Sequence, residues 1–482
     1  MSQLIAGFRP MGDEFEVADL DESLVKAQSA LKQLRGASLF LTGGTGFFGR
    51  RLLAMFARAN TLLGLELEVA VLTRSAARFS AQWPQLAAAH GQRLVEGDVR
   101  FFEFPKGRFT HVIHAAGDTS LAADNRPLEL LETIVNGTRR VLDFALMSGV
   151  RRVLMVSSGA VYGAVPAGMR EVSEGYVGAG ATTDRRSVYG QAKRLAEQLT
   201  TIYAAENGLS TVIARAFAFV GPGLPLDAHF AIGNFIREAV AGRTIVVRGD
   251  GRAVRSYLYS GDLAAWLARL LVDGTAGTAY NVGSDRAVSI GELAALVSAA
   301  VPQARGFAVE GLPDRDFRSH YVPSIARARA ELGLDVWTPL NEAIRRTACW
   351  ASMRGPGEQA RDNVAIAGNE QSQGVRSLTF VVDIDGVVAS LTAGNDYARA
   401  TPLTSTILLI NRLFDAGHRI IMFTARGSAT GVDWSECTRA QLAAWGLKYH
   451  DLRFGKPAGD YYIDDRIMSV GELARMVDAA ST

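Results

Sequence analysis

The sequence predicts a doubly wound α/β protein, a parallel sheet covered by helices, followed by a second and smaller α/β unit. Three observations carry this. Short β-branched runs alternate with longer helical stretches from Ala37 to about Ala304, which is the pattern of a parallel sheet wound on both faces. The glycine-rich segment Thr42-Gly43-Gly44-Thr45-Gly46-Phe47-Phe48-Gly49 directly follows the first of those runs. A separate apolar run, Leu378 to Val382, ends in Asp383-Ile384-Asp385-Gly386. The chain has 482 residues, against roughly 100–200 for a typical domain, so at least two domains are expected.

Composition narrows the class. Apolar residues make up 48% and charged residues 21%, as in ordinary globular enzymes. The 51 basic and 49 acidic residues are dispersed, so neither nucleic acid nor an anionic membrane surface is an expected partner. Only Cys349 and Cys437 are present and the seven histidines are scattered, which excludes a disulfide framework and a cysteine metal cluster and points to a reducing cytoplasm. Acidic Asp13, Glu14 and Glu16 stand where an export signal would be basic, and no apolar run reaches the ~18 residues a bilayer span needs.

In chain order, residues 1–36 form an N-terminal extension. It contains an amphipathic stretch, Leu20 to Leu34, expected as a helix on the first domain or on a partner subunit. Strands are expected at Ser38–Leu41, Glu68–Leu72, Arg93–Glu96, His111–His114, Arg152–Val156 and Ser210–Ala214 within a domain spanning 37–352. Residues 353–376 are polar with few apolar anchors, an interdomain linker, and a compact α/β domain occupies 377–482.

Gly43, Gly46 and Gly49 have GxxGxxG spacing between the first strand and a helix starting near Phe47 and Phe48. Such a turn lets the backbone approach a pyrophosphate at the helix N-terminus. Asp98 and Val99 follow the third strand, where an aspartate suits an adenine amino group, and Ala115-Ala116-Gly117 after the fourth leave room for a cofactor. The second strand runs into Thr73 and Arg74 without an acidic residue for the ribose hydroxyls. Arg74 suits a 2′-phosphate, so NADP is favoured over NAD.

Tyr189-Gly190-Gln191-Ala192-Lys193 puts a phenol and an ammonium on one helical face. The lysine favours the phenolate, bringing a group that ordinarily titrates at about 10 toward neutrality as an acid or base. Ser158 follows the fifth strand, at the sheet edge where α/β sites lie.

With these residues in this order, the chain over about 37–350 resembles the extended short-chain dehydrogenase/reductases of the nucleotide-sugar epimerase/dehydratase type. The resemblance implies a Rossmann-type sheet, a C-terminal substrate subdomain, a nucleotide diphosphate sugar substrate and a homodimer paired through helices near Glu129–Met147 and Lys193–Tyr203. It makes Tyr189 the acid or base, has Lys193 lower the tyrosine's pKa and hold the cofactor ribose, and has Ser158 bond the reacting oxygen. Arg255 matches a diphosphate-clasping arginine, and Asn234 is a weaker substrate contact. Two departures stand out. Gly159 and Ala160 replace the Asp-Glu pair of the 4,6-dehydratases, which disfavours that reaction, and Ala216 to Val220 lack an asparagine often found there.

The second domain reads as phosphate chemistry. Asp383 and Asp385 repel one another unless a cation intervenes, which invites magnesium. Thr424, Lys456 and the pair Asp464-Asp465 follow, mostly at or just beyond apolar runs. The segment resembles the haloacid-dehalogenase-like phosphatases. That resemblance implies Asp383 as nucleophile, Asp385 as acid and base, Thr424 and Lys456 as phosphoryl-oxygen ligands, and Mg2+ held by Asp383, Asp385, Asp464 and Asp465. Only 38 residues separate Asp385 from Thr424, too few for a large cap, so an open pocket and a bulky substrate are expected; the nucleotide-sugar domain on the same chain points to a phosphorylated sugar or similar phosphate ester. The expected whole is a bifunctional enzyme, an NAD(P)-dependent epimerase or ketoreductase joined to a phosphatase. Two alternatives stay open: a nicotinamide-nucleotide-binding scaffold with only the phosphatase active, and an oxidoreductase with a structural second domain.

Overall fold

The computed structural model describes residues 17–117, 126–166, 168–227, 230–311, 320–353, 379–392, 396–415, 418–428 and 430–456. The chain divides into two compact units, Met1–Ala367 and Gly368–Thr482. The expected linker, apart from Met353, and the pair Asp464-Asp465 lie outside the described residues.

The first unit is built on seven parallel strands: β1 (Ser38–Thr42), β2 (Glu68–Thr73), β3 (Gln92–Glu96), β4 (His111–His114), β5 (Arg152–Ser158), β6 (Ser210–Ala216) and β7 (Thr278–Val282). Their order, β7-β6-β5-β4-β1-β2-β3, reverses direction between β1 and β4 and so opens a crevice at the strands' carboxyl edge. Side chains alternate across the sheet. On β1, Leu39 and Leu41 join one core with Leu20, Leu31, Leu53 and Trp266, while Phe40 joins another with Phe102, Phe109 and Phe144. The six expected strands appear, each with its ends moved by at most two residues; β7 was not expected.

Helices α1 (Val17–Gln33), α2 (Phe47–Leu63), α3 (Pro127–Met147), α4 (Val188–Asn207), α5 (Ala231–Val240), α6 (Ser260–Asp273), α7 (Ile290–Ala300) and α8 (Leu340–Met353) complete the main frame. A second core joins α5, α7 and α8 through Ile232, Phe235, Leu293, Val297, Ile344 and Trp350. Beside it, three short strands pair in the order Val288–Ser289, Val254–Arg255, His320–Tyr321, with Arg255 in register with Tyr321.

The N-terminal helix packs on the first domain. Leu20, Leu24, Ala27 and Leu31 form its buried stripe. Asp19 on α1 is buried, accepting from Arg51 Nη1 of α2 at 2.7 Å, from Tyr259 Oη at 2.7 Å and from Arg346 Nη1 of α8 at 2.9 Å. Burial pushes its carboxyl up, but the Arg51 and Arg346 guanidinium groups and the Tyr259 hydroxyl outweigh that and hold it below the usual range.

The second unit shows three parallel strands, β8 (Thr379–Val382), β9 (Arg419–Phe423) and β10 (Asp451–Arg453), in the order β8-β9-β10. Helices α9 (Thr404–Asp415) and α10 (Ser435–Ala444) accompany them. Their core includes Ile384, Ile410, Ile420, Met422 and Leu442.

Asp19→Ala removes the buried carboxylate that pairs with Arg51 and Arg346 and is expected to destabilise the first unit by about 3–5 kcal/mol, read by denaturant unfolding. Because the folded carboxyl titrates below its unfolded value of about 3.9, the Asp19 contribution is full above that pH and is lost as pH falls through the folded value.

Candidate active site

The carboxyl edge of the first sheet begins at Gly43, whose φ of +72° is left-handed and which meets the Ala115-Ala116 backbone so closely that an added Cβ would stand 2.5 Å from the Ala115 carbonyl. Gly49 is equally tight, since its Cβ would lie 2.3 Å from Gly43 O. Gly46 is the N-cap of α2 and supplies no side-chain cap, so the helix's first N–H groups remain available to an anion. Phe47 and Phe48 open the helix, and Phe48 packs edge-on against Phe219 at 4.8 Å. This cradle fits a dinucleotide pyrophosphate: backbone donors, a helix N-terminus and glycines where a side chain would clash.

His114, at the end of β4, links the cradle to the core. Thr138 Oγ1 donates to Ile134 O at 2.6 Å, so it accepts from His114 Nε2 at 3.0 Å, and His114 Nδ1 then accepts from Thr42 Oγ1 at 2.7 Å. That assigns the Nε2–H tautomer. Burial, with Lys193 nearby, pulls the imidazole down to about 3 and keeps it neutral. Thr42 Oγ1 also accepts from Ala116 N at 3.2 Å, fixing the Ala115-Ala116-Gly117 segment against β1.

Thr73 ends β2, where its carbonyl accepts from Gly97 N at 2.9 Å. Arg74 beyond it is exposed. Asp98 is held by Arg100, which donates through Nε at 2.9 Å and Nη2 at 3.0 Å. Burial raises the Asp98 carboxyl, but Arg100 and the field of Arg74 bring it below the usual value. Val99 is buried beside it in the phenylalanine core.

Ser158 terminates β5, and its Oγ accepts from Ala160 N at 3.2 Å. Tyr189 and Lys193 stand on the first turns of α4. Lys193 is buried; its Nζ donates to Val156 O of β5 at 3.0 Å and lies against Gly117, where a Cβ would approach it to 3.3 Å. Burial pulls this ammonium down to about 8, and the Glu197 carboxylate pulls it back up. The lysine thus joins the end of β5, the segment after β4 and the tyrosine helix in one place.

Tyr321, Phe217 and Tyr162 were not anticipated from the sequence. Tyr321 packs against Phe217 with ring centroids 4.6 Å apart and planes tilted by 36°, and its hydroxyl lies over Gly159, where a Cβ would come within 2.6 Å of it. Burial raises the Tyr321 phenol, with Ser158, Tyr189 and Arg255 among the groups that act on it. Gly159 is therefore glycine because an aromatic wall occupies the space a side chain would need. Arg255 stands beside Tyr321 in the small sheet, and Asn234 sits on α5. No local signal marks Tyr321, which lies in a two-residue strand 163 positions after Ser158.

In the second unit the parallel strands bring Asp383, Asp385, Thr424 and Lys456 to one sheet edge. Lys456 Nζ is ion-paired with Asp383. Lys456 N donates to Thr424 O at 3.1 Å, and Arg426 N donates to Thr424 Oγ1 at 3.1 Å. Arg426, to which the sequence assigned no role, is buried and grips Asp385 through Nε at 2.9 Å and Nη2 at 2.7 Å, while Nη1 donates to Gln441 Oε1 at 2.8 Å. Both carboxylates are thus neutralised by cations of the chain. Among the described residues no group of three or more His, Cys, Asp or Glu side chains forms a metal cluster, so these residues alone do not fit a magnesium site.

Among the described residues, no helix is long and apolar enough to cross a membrane. The chain is 32% identical over 219 residues to UDP-glucuronic acid decarboxylase 6 of Arabidopsis thaliana, covering 45% of this chain and 62% of that protein, so it spans less than two thirds of that relative. Among solved structures, an epimerase from Methanothermobacter thermautotrophicus superposes with a TM-score of 0.58 at 21% identity, covering 72% of this chain and 98% of that one. The WbmF enzyme of Bordetella bronchiseptica, solved with NAD+ and UDP, gives 0.55 at 21% identity, covering 70% and 99%. These two share the fold. The model of the NAD dependent epimerase/dehydratase family matches residues 39–283, just over half of the sequence, and it is to that family that the chain belongs.

Proposed function

We propose that the first unit oxidises and re-reduces, or reduces, a carbon of a nucleotide diphosphate sugar using a nicotinamide dinucleotide. The observation that carries the reading is the convergence on buried Lys193 of the end of β5 with Ser158, the Gly117 segment and the helix of Tyr189. A UDP-sugar is the favoured substrate class, since the Arabidopsis relative is named for UDP-glucuronic acid and the Bordetella structure contains UDP.

In this reading the Tyr189 phenolate accepts the hydroxyl proton of the sugar while the carbon's hydride leaves and a carbonyl forms. The Lys193 ammonium favours the phenolate, and Ser158 donates to the developing carbonyl oxygen. The bound nicotinamide supplies the hydride acceptor. Gly43, Gly46, Phe47, Phe48 and Gly49 would hold the pyrophosphate, and Asp98 the adenine. The NAD or NADP choice turns on Arg74; its exposure beside Asp98 favours NADP, against the NAD of the neighbouring structures. Arg255 would clasp the diphosphate, with Asn234 nearby. Gly159 and Ala160 offer no second acid, and Tyr321 and Phe217 fill the space where one would stand. That favours epimerisation or keto-reduction over dehydration. With a uronic acid substrate, oxidation at C4 gives a β-keto acid, which loses CO2 without another acid.

For the second unit we infer a phosphatase, supported by the meeting of Asp383, Asp385, Thr424 and Lys456 at one edge. Asp383 would accept the phosphoryl group and Asp385 would protonate the leaving oxygen once released from Arg426. Asp464 and Asp465 complete the expected magnesium ligands. Helices α3 and α4 expose Leu128, Met147, Leu195 and Ile202, which favours a homodimer through that face.

Three outcomes are expected. Tyr189→Phe should lower turnover of UDP-glucose or UDP-glucuronic acid by at least about 10²-fold, with products read by NMR, while bound dinucleotide is retained; parent-like turnover would sink the assignment. Asp383→Asn should abolish hydrolysis of a sugar phosphate and leave the redox reaction intact; no hydrolysis in the parent would favour a structural second unit. Leu195→Arg combined with Ile202→Arg should halve the mass measured by sedimentation, and an unchanged mass would place any dimer contact elsewhere.

A further inference from the structure

Glu197 lies one helical turn beyond Lys193 and two beyond Tyr189 on α4, so the three share a face. It is buried, and both carboxylate oxygens are occupied from the sheet side. Ser157 Oγ donates to Oε1 at 2.5 Å, Arg215 Nε to the two oxygens at 3.0 and 3.2 Å, and Arg215 Nη2 to Oε2 at 2.7 Å. Ser157 immediately precedes Ser158 on β5, and Arg215 is on β6.

The pair does not end there. Arg215 Nη1 donates to Tyr162 Oη at 2.9 Å, and that hydroxyl donates to Asn281 Oδ1 of β7 at 2.7 Å. Asn281 Nδ2 donates to Val172 O at 2.8 Å and Ser324 O at 3.1 Å. Val172 and the Val322–Ser324 segment exchange backbone hydrogen bonds at 2.9 Å, directly beyond Tyr321. Four hydrogen bonds from Ser157 and Arg215 thus hold the Glu197 carboxylate in place, one helical turn from Lys193.

Around Lys193, the Val156 carbonyl of β5 accepts from Nζ and His114 of β4 is neutral and bonded at both nitrogens; along α4, Tyr189 stands one turn before it and Glu197 one turn after, the latter bonded to Arg215 of β6. Burial works against the ammonium, and the full negative charge opposing that burial is the one on Glu197.

We propose that Glu197 is a positioning residue for proton transfer: clamped by Ser157 and Arg215, its carboxylate keeps Lys193 in the charged form that Tyr189 needs. This rests on the reading of Tyr189 and Lys193 as the proton-handling pair, but its test does not require turnover.

The full-length chain contains six lysines, so NMR of protein labelled with 13C at the lysine ε carbon can follow each one, with Lys193→Met assigning the resonance. The Lys193 titration midpoint is expected to fall by about one pH unit, tenfold in the proton equilibrium, in Glu197→Gln. It should stay near the parent value in Glu197→Asp, which keeps the charge. Should Glu197→Gln not fold, Glu197→Gln with Arg215→Gln leaves no unpaired buried ion and is expected to move the midpoint in the same direction by less. Where turnover is measurable, the alkaline limb of kcat should follow the midpoint downward with KM little changed. A midpoint unmoved or raised when Glu197 becomes Gln would overturn the proposal, whatever the substrate proves to be. A silent parent assay with a shifted midpoint would instead count against the catalytic reading alone.

Discussion

The constraint on which the rest depends is the parallel pairing of β1 to β7. Parallel strands must all end at one edge, and the reversal of order between β1 and β4 leaves that edge open. Every chemistry-bearing residue of the first unit's strands follows from this. Gly43, Thr73, Asp98, Gly117 and Ser158 stand at or just past the ends of β1 to β5 in turn. The same logic, on three strands, gathers Asp383, Thr424 and Lys456 in the second unit.

Burial then divides the charged groups into those that hold the fold and those that act. Asp19 with Arg51 and Arg346 pins the first helix to α2 and α8. Lys193 and Glu197 are buried to a similar degree, but they lie beneath the residues expected to meet substrate. A desolvated ammonium at about 8 is poised between its two states near neutrality, which is costly for a structural group and useful beside a phenol.

Much of this was legible in the chain. The β-branched runs located six strands because a strand buried on both faces needs continuous apolar residues. The seventh, Thr-Ala-Tyr-Asn-Val, lacks such a run; it becomes a strand by pairing with Val212–Ala216 at the sheet's edge. The glycine turn, Ser158 and the Tyr189–Lys193 spacing were local patterns and were read directly. Glu197 could have been found by extending that spacing one more turn. Tyr321 and Arg426 could not, because their roles arise from tertiary contact: one fills the space over Gly159, the other neutralises Asp385. The mixture fits a chain in which local rules place the backbone and long-range packing tunes the site.

The most direct test of the central claim follows the hydride. The full-length protein, loaded with NAD+ or NADP+, is mixed with UDP-glucose or UDP-glucuronic acid deuterated throughout the sugar ring, quenched in acid, and its released dinucleotide weighed by mass spectrometry. The account predicts deuterium in the nicotinamide of the parent and none when Tyr189 is phenylalanine. A dinucleotide that never acquires label from either sugar nucleotide, in a protein shown to bind both, would contradict it.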